Sequence, residues 1–395
     1  MTILLVVIYI TFISLGLPDS LFGVVWPIAH IDFNVDESFG SVYSVAVAMT
    51  SGGISFFAGT LVRKFGTGKV TAISVLLTAV GMLGISFSPN VYIMMLFSII
   101  CGFGAGAIDT GLNAFVSVNY KAIHMNWLHC FWGVGVTVSP LIMSYFLKSA
   151  DWRNGYRAVS YIQFGITLVV FLSLFLWKKY DVKRNNSELI KEEKKPKLKL
   201  SDVLKTKGIF CGITSLGVYC AMEQIISVWG ASYLVNHVAL TPATAAQYVS
   251  GYFGGIIVGR FISCILSLKV SDHNMIRGGT AISVIGMVTM IIPSSVAVLL
   301  GLIIIGIGFG PVFPSVIHLV SERFGQDKTV DISGFHMGGA YVIGYVLQLI
   351  FGFSATMTTF EIVPYCLICF AIITIIFNEL TNIKVKKYKR EGCEK

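Results

Sequence analysis

Three carboxylic acids lie within long apolar stretches of the sequence: Asp19, Asp109 and Glu223. An ionisable group in the middle of a membrane helix costs about 2.5 kcal/mol or more on insertion scales, so each acid requires a functional or a pairing explanation. Burial favours the neutral acid, whereas contact with water favours the ionised form. The acids therefore predict proton binding and release. The alternative is a structural role, in which Asp19 caps a broken helix and the other two bond to neighbouring helices.

Amide, imidazole and indole side chains accompany these acids at helical spacing. Asn113 follows Asp109 by four residues and shares its helix face. Imidazole titrates near neutral pH, and indole offers an apolar plate for a sugar or an aromatic ring. The pattern predicts a site for a small polar solute, with packing or hydrogen bonding inside the protein as the alternative for each residue. The predicted lining residues are Asn113, Asn126, His129, Trp132, Gln224, Trp229 and His336.

The composition indicates which solvent surrounds the elements that carry these residues. The chain has 55% hydrophobic and only 12% charged residues, with a mean hydropathy of +0.79. Soluble domains carry roughly a quarter charged residues, so lipid is the expected solvent. The formal net charge of +9 comes from basic residues grouped in short stretches between apolar runs. Such grouping is typical of cytoplasmic loops and argues against nucleic-acid binding.

Apolar runs long enough to cross a bilayer as helices predict an all-α membrane protein with twelve spans. A span needs about 20 apolar residues, because backbone groups in the hydrocarbon must bond within the helix. Our predicted spans cover residues 3–28, 40–62, 70–88, 91–119, 127–148, 156–177, 208–235, 243–266, 274–292, 295–320, 333–354 and 360–383.

The one long polar stretch, Lys178 to Lys207, separates two sets of six spans. We predict a first half over residues 1–178, a central loop over 179–206 and a second half with its tail over 207–395. The stretch carries eleven basic residues, and Lys and Arg beside spans resist translocation. We therefore expect a plasma-membrane protein with the central loop and both termini in the cytoplasm.

The two halves also resemble each other in sequence. GFGAGAIDTGLNAF corresponds to GIGFGPVFPSVIHL, and FWGVG at 131–135 corresponds to FHMGG at 335–339. An acid recurs in the first span of each half, so Glu223 and Gln224 are expected to face the same cavity as Asp19. A duplication of this kind is typical of transporters whose halves rock around a central site.

Motifs of other protein classes are missing from the sequence. It contains no phosphate-binding loop with Lys-Ser/Thr, and its glycine-rich run lies in an apolar span without the strand that a dinucleotide site requires. It also has no cluster with metal-ligand spacing and no nucleophile beside a base. We therefore predict neither an enzyme nor a protein with a metal or another cofactor.

Several segments resemble the fucose–galactose–glucose/proton symporter-like family of the major facilitator superfamily. They are PDSLFGVVWP, GFGAGAIDTGLNAFV, NWLHCFWGVG, GIIVGRF and FGPVFPSVIHLVSERFGQD. The resemblance implies the major facilitator fold and sugar transport. Acids associated with proton coupling and sugar binding in the family's fucose permease match Asp19 and Asp109, the second usually being Glu. His129 and Trp132 stand where the fucose permease has Gln and Asn, and the family's glucose transporters also place an acid at Glu223.

The loop GTLVRKFGTGK has the glycine and basic spacing of the superfamily signature between spans 2 and 3. An acid is usual where Arg63 stands, so this chain departs from the signature there. Arg260 occupies the corresponding end of span 8. We predict that both arginines act in a cytoplasmic gate.

Together these features predict proton-coupled uptake of a monosaccharide or similar solute by a monomer. Asp19, Asp109 and Glu223 would carry the proton. The alternatives are a proton-antiport exporter of drugs or metabolites, and a receptor that binds a solute without moving it.

Overall fold

The computed structural model describes residues 3–120, 122–177, 206–324 and 329–393, and within these ranges the regular structure is helical throughout. The helices that matter here are α1 (Ile3–Asp19), α2 (Leu21–Asp32), α3 (Phe39–Phe65), α4 (Thr67–Ser86), α5 (Val91–Asn119), α6 (Ala122–Leu147), α7 (Trp152–Leu172), α8 (Ile209–Asn236), α9 (Pro242–Leu266), α10 (Asp272–Thr289), α11 (Ser295–Phe309), α12 (Val312–Phe324), α13 (Thr329–Met357) and α14 (Ile362–Cys393). The predicted central loop lies outside the described residues except for its last residue, Thr206.

Within the described ranges, ten helical stretches are long and apolar enough to cross a membrane. An eleventh is α3, which bends by 50° between Ser55 and Phe57. The remaining predicted span is helical as α10 but does not reach the same apolarity. Its first turns carry Asp272, His273 and Arg277, which lower its mean hydropathy. The all-α membrane architecture predicted from the sequence is confirmed.

The chain divides into two compact units by its internal contacts. The first comprises Met1–Lys195 and Gly230–Ser250, and the second comprises Pro196–Trp229 and Gly251–Lys395. The segment Gly230–Ser250 belongs to the first unit in part through side-chain bonds. Asn236 Nδ2 donates to Glu37 Oε2 at 3.0 Å, and Ser250 Oγ donates to the Thr137 carbonyl at 2.7 Å.

The first predicted span is interrupted where its sequence favours a kink. Pro18 has no backbone N–H to donate, and α1 ends at Asp19 before α2 begins at Leu21. Ser20, between the two helices, places its Oγ 2.9 Å from the Val136 carbonyl and 2.8 Å from Ser139 Oγ. Hydrogen bonds of Ser20 therefore connect the break to α6. Asp19 lies at the end of α1 rather than in the middle of a helix.

Glycine contacts bring helices close together in each unit. In the first unit, a Cβ at Gly16 of α1 would lie 2.2 Å from the Trp132 carbonyl of α6. In the second unit, a Cβ at Gly306 of α11 would lie 2.2 Å from the Tyr252 carbonyl of α9. Side chains at these positions would clash with backbone, so small residues permit the approach. The first of these contacts positions the candidate site.

Candidate functional site

The first acid, Asp19, is bonded to a residue far away in the sequence. Trp132 Nε1 donates to Asp19 Oδ2 at 2.8 Å, linking the end of α1 to the middle of α6. The close approach of Gly16 to the Trp132 backbone fixes the two helices at this level. Asp19 is exposed on the first unit, whereas the indole is half-buried. Trp132 can therefore hold the carboxylate and still present part of its ring.

The second acid, Asp109, makes the bond that its spacing predicts. Asn113 Nδ2 donates to Asp109 Oδ1 at 2.8 Å along one face of α5. Asn113 Oδ1 is buried and has no hydrogen-bond partner among the described residues. Asp109 is exposed on the first unit and interacts electrostatically with Asp19. The structure thus pairs one carboxylate with an indole and the other with an amide, and the two carboxylates interact electrostatically.

The donors to these two acids are neutral. Within the described part of the chain, neither Asp19 nor Asp109 forms a salt bridge; the ion pairs found there involve other acids. Charged side chains inside membrane proteins almost always face the protein interior or a water-filled cavity. An exposed acid on a membrane span is therefore expected to face water or protein rather than lipid. Among the described residues, the hydrogen-bond donors to both acids are thus an indole and an amide rather than a cation.

His129, one turn before Trp132 on α6, is also exposed on the first unit. Its ring meets the Phe12 ring edge to face, with centroids 6.1 Å apart. Asn126 belongs to the same helix, but its side chain lies outside the described residues. His129 therefore lies within one helical turn of the Asp19–Trp132 pair.

The third acid, Glu223, belongs to the second unit and has a different environment. Tyr219 Oη lies 2.7 Å from Glu223 Oε1 and 3.0 Å from the Phe309 carbonyl. Arg260 on α9 interacts electrostatically with Glu223. Both Glu223 and Arg260 are half-buried, as is Gln224. A positive charge therefore compensates this acid, unlike the two in the first unit.

Two predicted solute-contact residues are buried in this structure. Trp229 is fully buried and packs on Phe360, with ring centroids 5.9 Å apart. His336 on α13 is also fully buried, and a Cβ at Gly212 of α8 would lie 3.0 Å from its ring. Both side chains contribute to packing within the second unit.

The two predicted gate arginines have different surroundings. Arg63 is exposed in the last turn of α3, and its Nη2 donates to Thr60 Oγ1 at 3.0 Å. Arg260 lies six residues before the end of α9 and interacts electrostatically with Glu223. The two predicted gate residues therefore differ in exposure and in their partners.

Several polar aromatic residues near the site were not predicted from the sequence. Tyr219 precedes Glu223 by four residues, a helical spacing that contains the necessary signal. Tyr252 on α9 interacts electrostatically with both Glu223 and Arg260. In the first unit, Tyr9 Oη is 2.8 Å from His124 Nδ1, and the Tyr9 ring stacks on Phe131. The bond between Tyr9 and His124 joins two helices that are far apart in the sequence, so no helical spacing predicts it.

Comparison with known proteins agrees with this arrangement of helices. The glucose/mannose transporter GlcP of Bacillus subtilis (strain 168) is 19% identical over 339 residues, covering 85% of this chain and 82% of that protein. A single-residue mutant of the nucleoside transporter NupG has a similar structure, with a TM-score of 0.76, 12% identity and coverage of 95% of this chain and 98% of that one. A single-residue variant of the E. coli fucose:proton symporter FucP has a TM-score of 0.65 and 16% identity, covering 96% of this chain and 98% of that one.

At these identities the solved structures establish the fold, and the family assignment comes from the sequence. Residues 8–349 match the Major Facilitator Superfamily, and the similar proteins named above are transporters. Because the match extends over most of the chain, the protein belongs to the Major Facilitator Superfamily and is a multi-pass membrane transporter rather than an enzyme.

Proposed function

We propose that this transporter takes up a monosaccharide, or a solute that contains one, together with protons. One relative is named a glucose/mannose transporter, and proteins that share the fold are named for fucose with a proton and for nucleosides. Each of these solutes contains a sugar ring with several hydroxyl groups. The first unit offers carboxylate, amide, imidazole and indole groups on adjacent helices, a combination suited to such a ring.

The observation that carries the proposal is the pair of acids with neutral donors, Asp19 and Asp109. Moving an ionised carboxylate into a low-dielectric environment costs free energy, and protonation removes the charge that causes this cost. A fixed counter-ion would instead favour the charged form throughout the cycle. Since the donors here are an indole and an amide, each acid can change its protonation state without leaving a cation unpaired.

Asp109 is our first choice for the coupling acid. It lies well inside α5, far from either end, and it interacts with Asp19 electrostatically. Two nearby carboxylates disfavour simultaneous ionisation, so one proton shared near them lowers their repulsion. Glu223 is a weaker choice, because Arg260 supplies it with a positive charge.

We propose that Trp132 and Asn113 contact the sugar directly, with His129 beside them. The indole face would cover the apolar side of a sugar ring, while its N–H remains bonded to Asp19. The buried, unpartnered Asn113 Oδ1 is available to accept a bond from a hydroxyl group. Gln224, which is half-buried, keeps its predicted role on sequence grounds, whereas Trp229 and His336 are buried in their own unit. Asn126 keeps its predicted role on sequence grounds alone.

In this mechanism, the site opens alternately to the two sides of the membrane. Protonation neutralises the acid, and the bound sugar forms hydrogen bonds with polar groups that would otherwise be unpaired. The free energy needed to reorient the loaded carrier is therefore lower. Proton release on the other side then weakens the hold on the sugar. The distribution of basic loops supports a plasma-membrane location with both termini in the cytoplasm. Arg63 would belong to the gate on that side.

The test is transport by the purified protein in proteoliposomes. Labelled glucose, mannose, fucose and a nucleoside would be offered with and without an inward proton gradient. We expect gradient-driven accumulation of at least one solute. Asp109→Asn should abolish accumulation but retain counterflow, because the amide mimics the protonated acid and can still accept from Asn113.

Glu361→Gln is the matched control, since it makes the same change at an exposed acid near the start of α14. Full pH-dependent accumulation in Asp109→Asn would remove Asp109 from the mechanism. If none of the solutes accumulates under the inward proton gradient, another substrate or export replaces sugar uptake. Binding without counterflow would indicate a receptor.

A further inference from the structure

A groove on the surface of the second unit has no part in the proposed transport reaction. Its volume is about 340 Å³, and it lies between α10 and α14. Its lining is apolar except for Arg277 at one end and Thr280 one turn further along α10. Ile372 and Ile376 on its α14 side are about half exposed. Both helices are predicted membrane spans, so we expect this groove to face hydrocarbon rather than water.

The length of the groove suits a lipid tail. Along α10 its lining runs from Arg277 to Val284, which at about 1.5 Å per residue is roughly 10 Å. One leaflet of the hydrocarbon core is about 15 Å thick. The groove is therefore about two thirds as long as one leaflet of the hydrocarbon core is thick. Ala281 is small and exposed, leaving room for a chain between the two helices.

The one charged residue in the lining of the groove, Arg277, has a partner of opposite charge. Arg277 binds Glu379 through two bonds of 2.8 and 2.7 Å, so these two charges cancel. The nearby acids Asp272 and Glu322 have histidine partners, His318 at 2.7 Å and His273 at 3.7 Å. Neither of these acids belongs to the groove lining.

Two lysines extend the lined face of α14 beyond this ion pair. Lys386 follows Ile372 by fourteen residues, close to four helical turns, and therefore falls on the same face. Lys386 and Lys387 are both exposed. These lysines provide two cations at the same end of the groove as Arg277. The basic residues also identify this end with the cytoplasmic leaflet.

We propose that the groove between α10 and α14 binds one anionic phospholipid, with an acyl chain along Ala281 and its phosphate near Lys386 and Lys387. Basic pockets between membrane helices on the cytoplasmic side are suited to acidic headgroups. A second copy of the chain would fit less well, because a two-fold contact through this groove would bring the two pairs of lysines together. A zwitterionic lipid offers the same tail but places its own ammonium group near the lysines.

Native mass spectrometry of the full-length protein in detergent tests this proposal. The probes are phosphatidylglycerol and phosphatidylcholine with identical acyl chains, supplied in equal amounts. We expect one tightly retained phosphatidylglycerol, favoured over phosphatidylcholine by at least about fivefold, the factor set by one lysine near an anionic headgroup. Inorganic phosphate should not displace it, because phosphate alone gains nothing from the apolar groove.

Two variants separate the tail from the headgroup. Ala281→Phe fills the groove and should remove the retained lipid, while Ile285→Phe adds the same ring to an exposed position of α10 outside the lining. Lys386→Gln with Lys387→Gln should abolish the preference for phosphatidylglycerol while leaving the tail site intact. Lys64→Gln with Lys69→Gln is the charge-matched control, since both lysines are exposed on the first unit.

Equal retention of the two lipids by the wild-type protein would overturn the proposal. So would unchanged phosphatidylglycerol retention in both the Ala281→Phe and the double-lysine variants. A dimer that Ala281→Phe dissociates would assign the groove to a second copy instead. If Ala281→Phe does not fold, the double-lysine variant still decides the headgroup assignment. None of these results depends on which solute the protein transports.

Discussion

The Gly16→Ala substitution tests the helix contact on which the candidate site depends. The added Cβ would lie 2.2 Å from the Trp132 carbonyl oxygen and 2.9 Å from the Val136 backbone nitrogen. Ordinary van der Waals contact begins at 3.4 Å, so α1 and α6 must separate locally by about 1 Å. Both blocking atoms belong to the backbone of α6, and no side-chain rotation can relieve them.

The cost follows from overpacking a close helix contact. Such changes typically destabilise by about 1–3 kcal/mol. For a unit of this size, each kcal/mol lowers the unfolding temperature by about 2–4 °C. The same separation would stretch the 2.8 Å bond from Trp132 to Asp19 towards a distance at which it no longer counts as a hydrogen bond. We therefore expect loss of both stability and solute affinity.

The assay is thermal unfolding of the purified protein in detergent, followed by solute uptake. Gly165→Ala is the matched control, because a Cβ there would meet nothing within 4 Å. Alanine in that exposed helical position should be neutral or stabilising by up to about 1 kcal/mol. Equal unfolding temperatures and uptake for the two variants would refute the close contact between α1 and α6.

Two further predictions concern the second unit and the loop between α2 and α3. Tyr219→Phe removes the hydroxyl 2.7 Å from Glu223 Oε1. Because one hydrogen bond is lost, we expect destabilisation of about 0.5–1.5 kcal/mol by thermal unfolding, and an unchanged midpoint would contradict the assigned bond. In the loop, hydrogen bonds from Ser38 lower the pKa of Asp36 below its ordinary 3.8. This contribution is present above the ordinary pKa and is lost as the pH falls through the lowered one. Asp36→Ala should therefore speed hydrogen exchange at the Ser38 amide near neutral pH, and the difference from wild type should vanish in acid; equal exchange near neutral pH would show that the bond gives no protection.

The sequence by itself determined the class of protein and most of its helices. Apolar runs of membrane length can satisfy their backbone groups only as helices, so composition and run length are sufficient for that prediction. The break beside Pro18 was also predictable, because proline removes a backbone donor at a fixed position. The Asp109–Asn113 bond follows from their spacing of four on one helix. Each of these features depends on residues close together in the chain.

The tertiary structure decided which distant residues meet. Trp132 lies 113 residues after Asp19, and no spacing rule connects them; the glycine-mediated approach of α1 to α6 does. The same is true of Arg260, which the sequence placed in a gate and the structure places beside Glu223. The burial of individual side chains could not be predicted from the sequence either, because helical periodicity cannot distinguish a cavity wall from a packed interface. Trp229 and His336 are buried in this structure for that reason. Local chemistry fixes which helices form, and only their packing determines which side chains share a site.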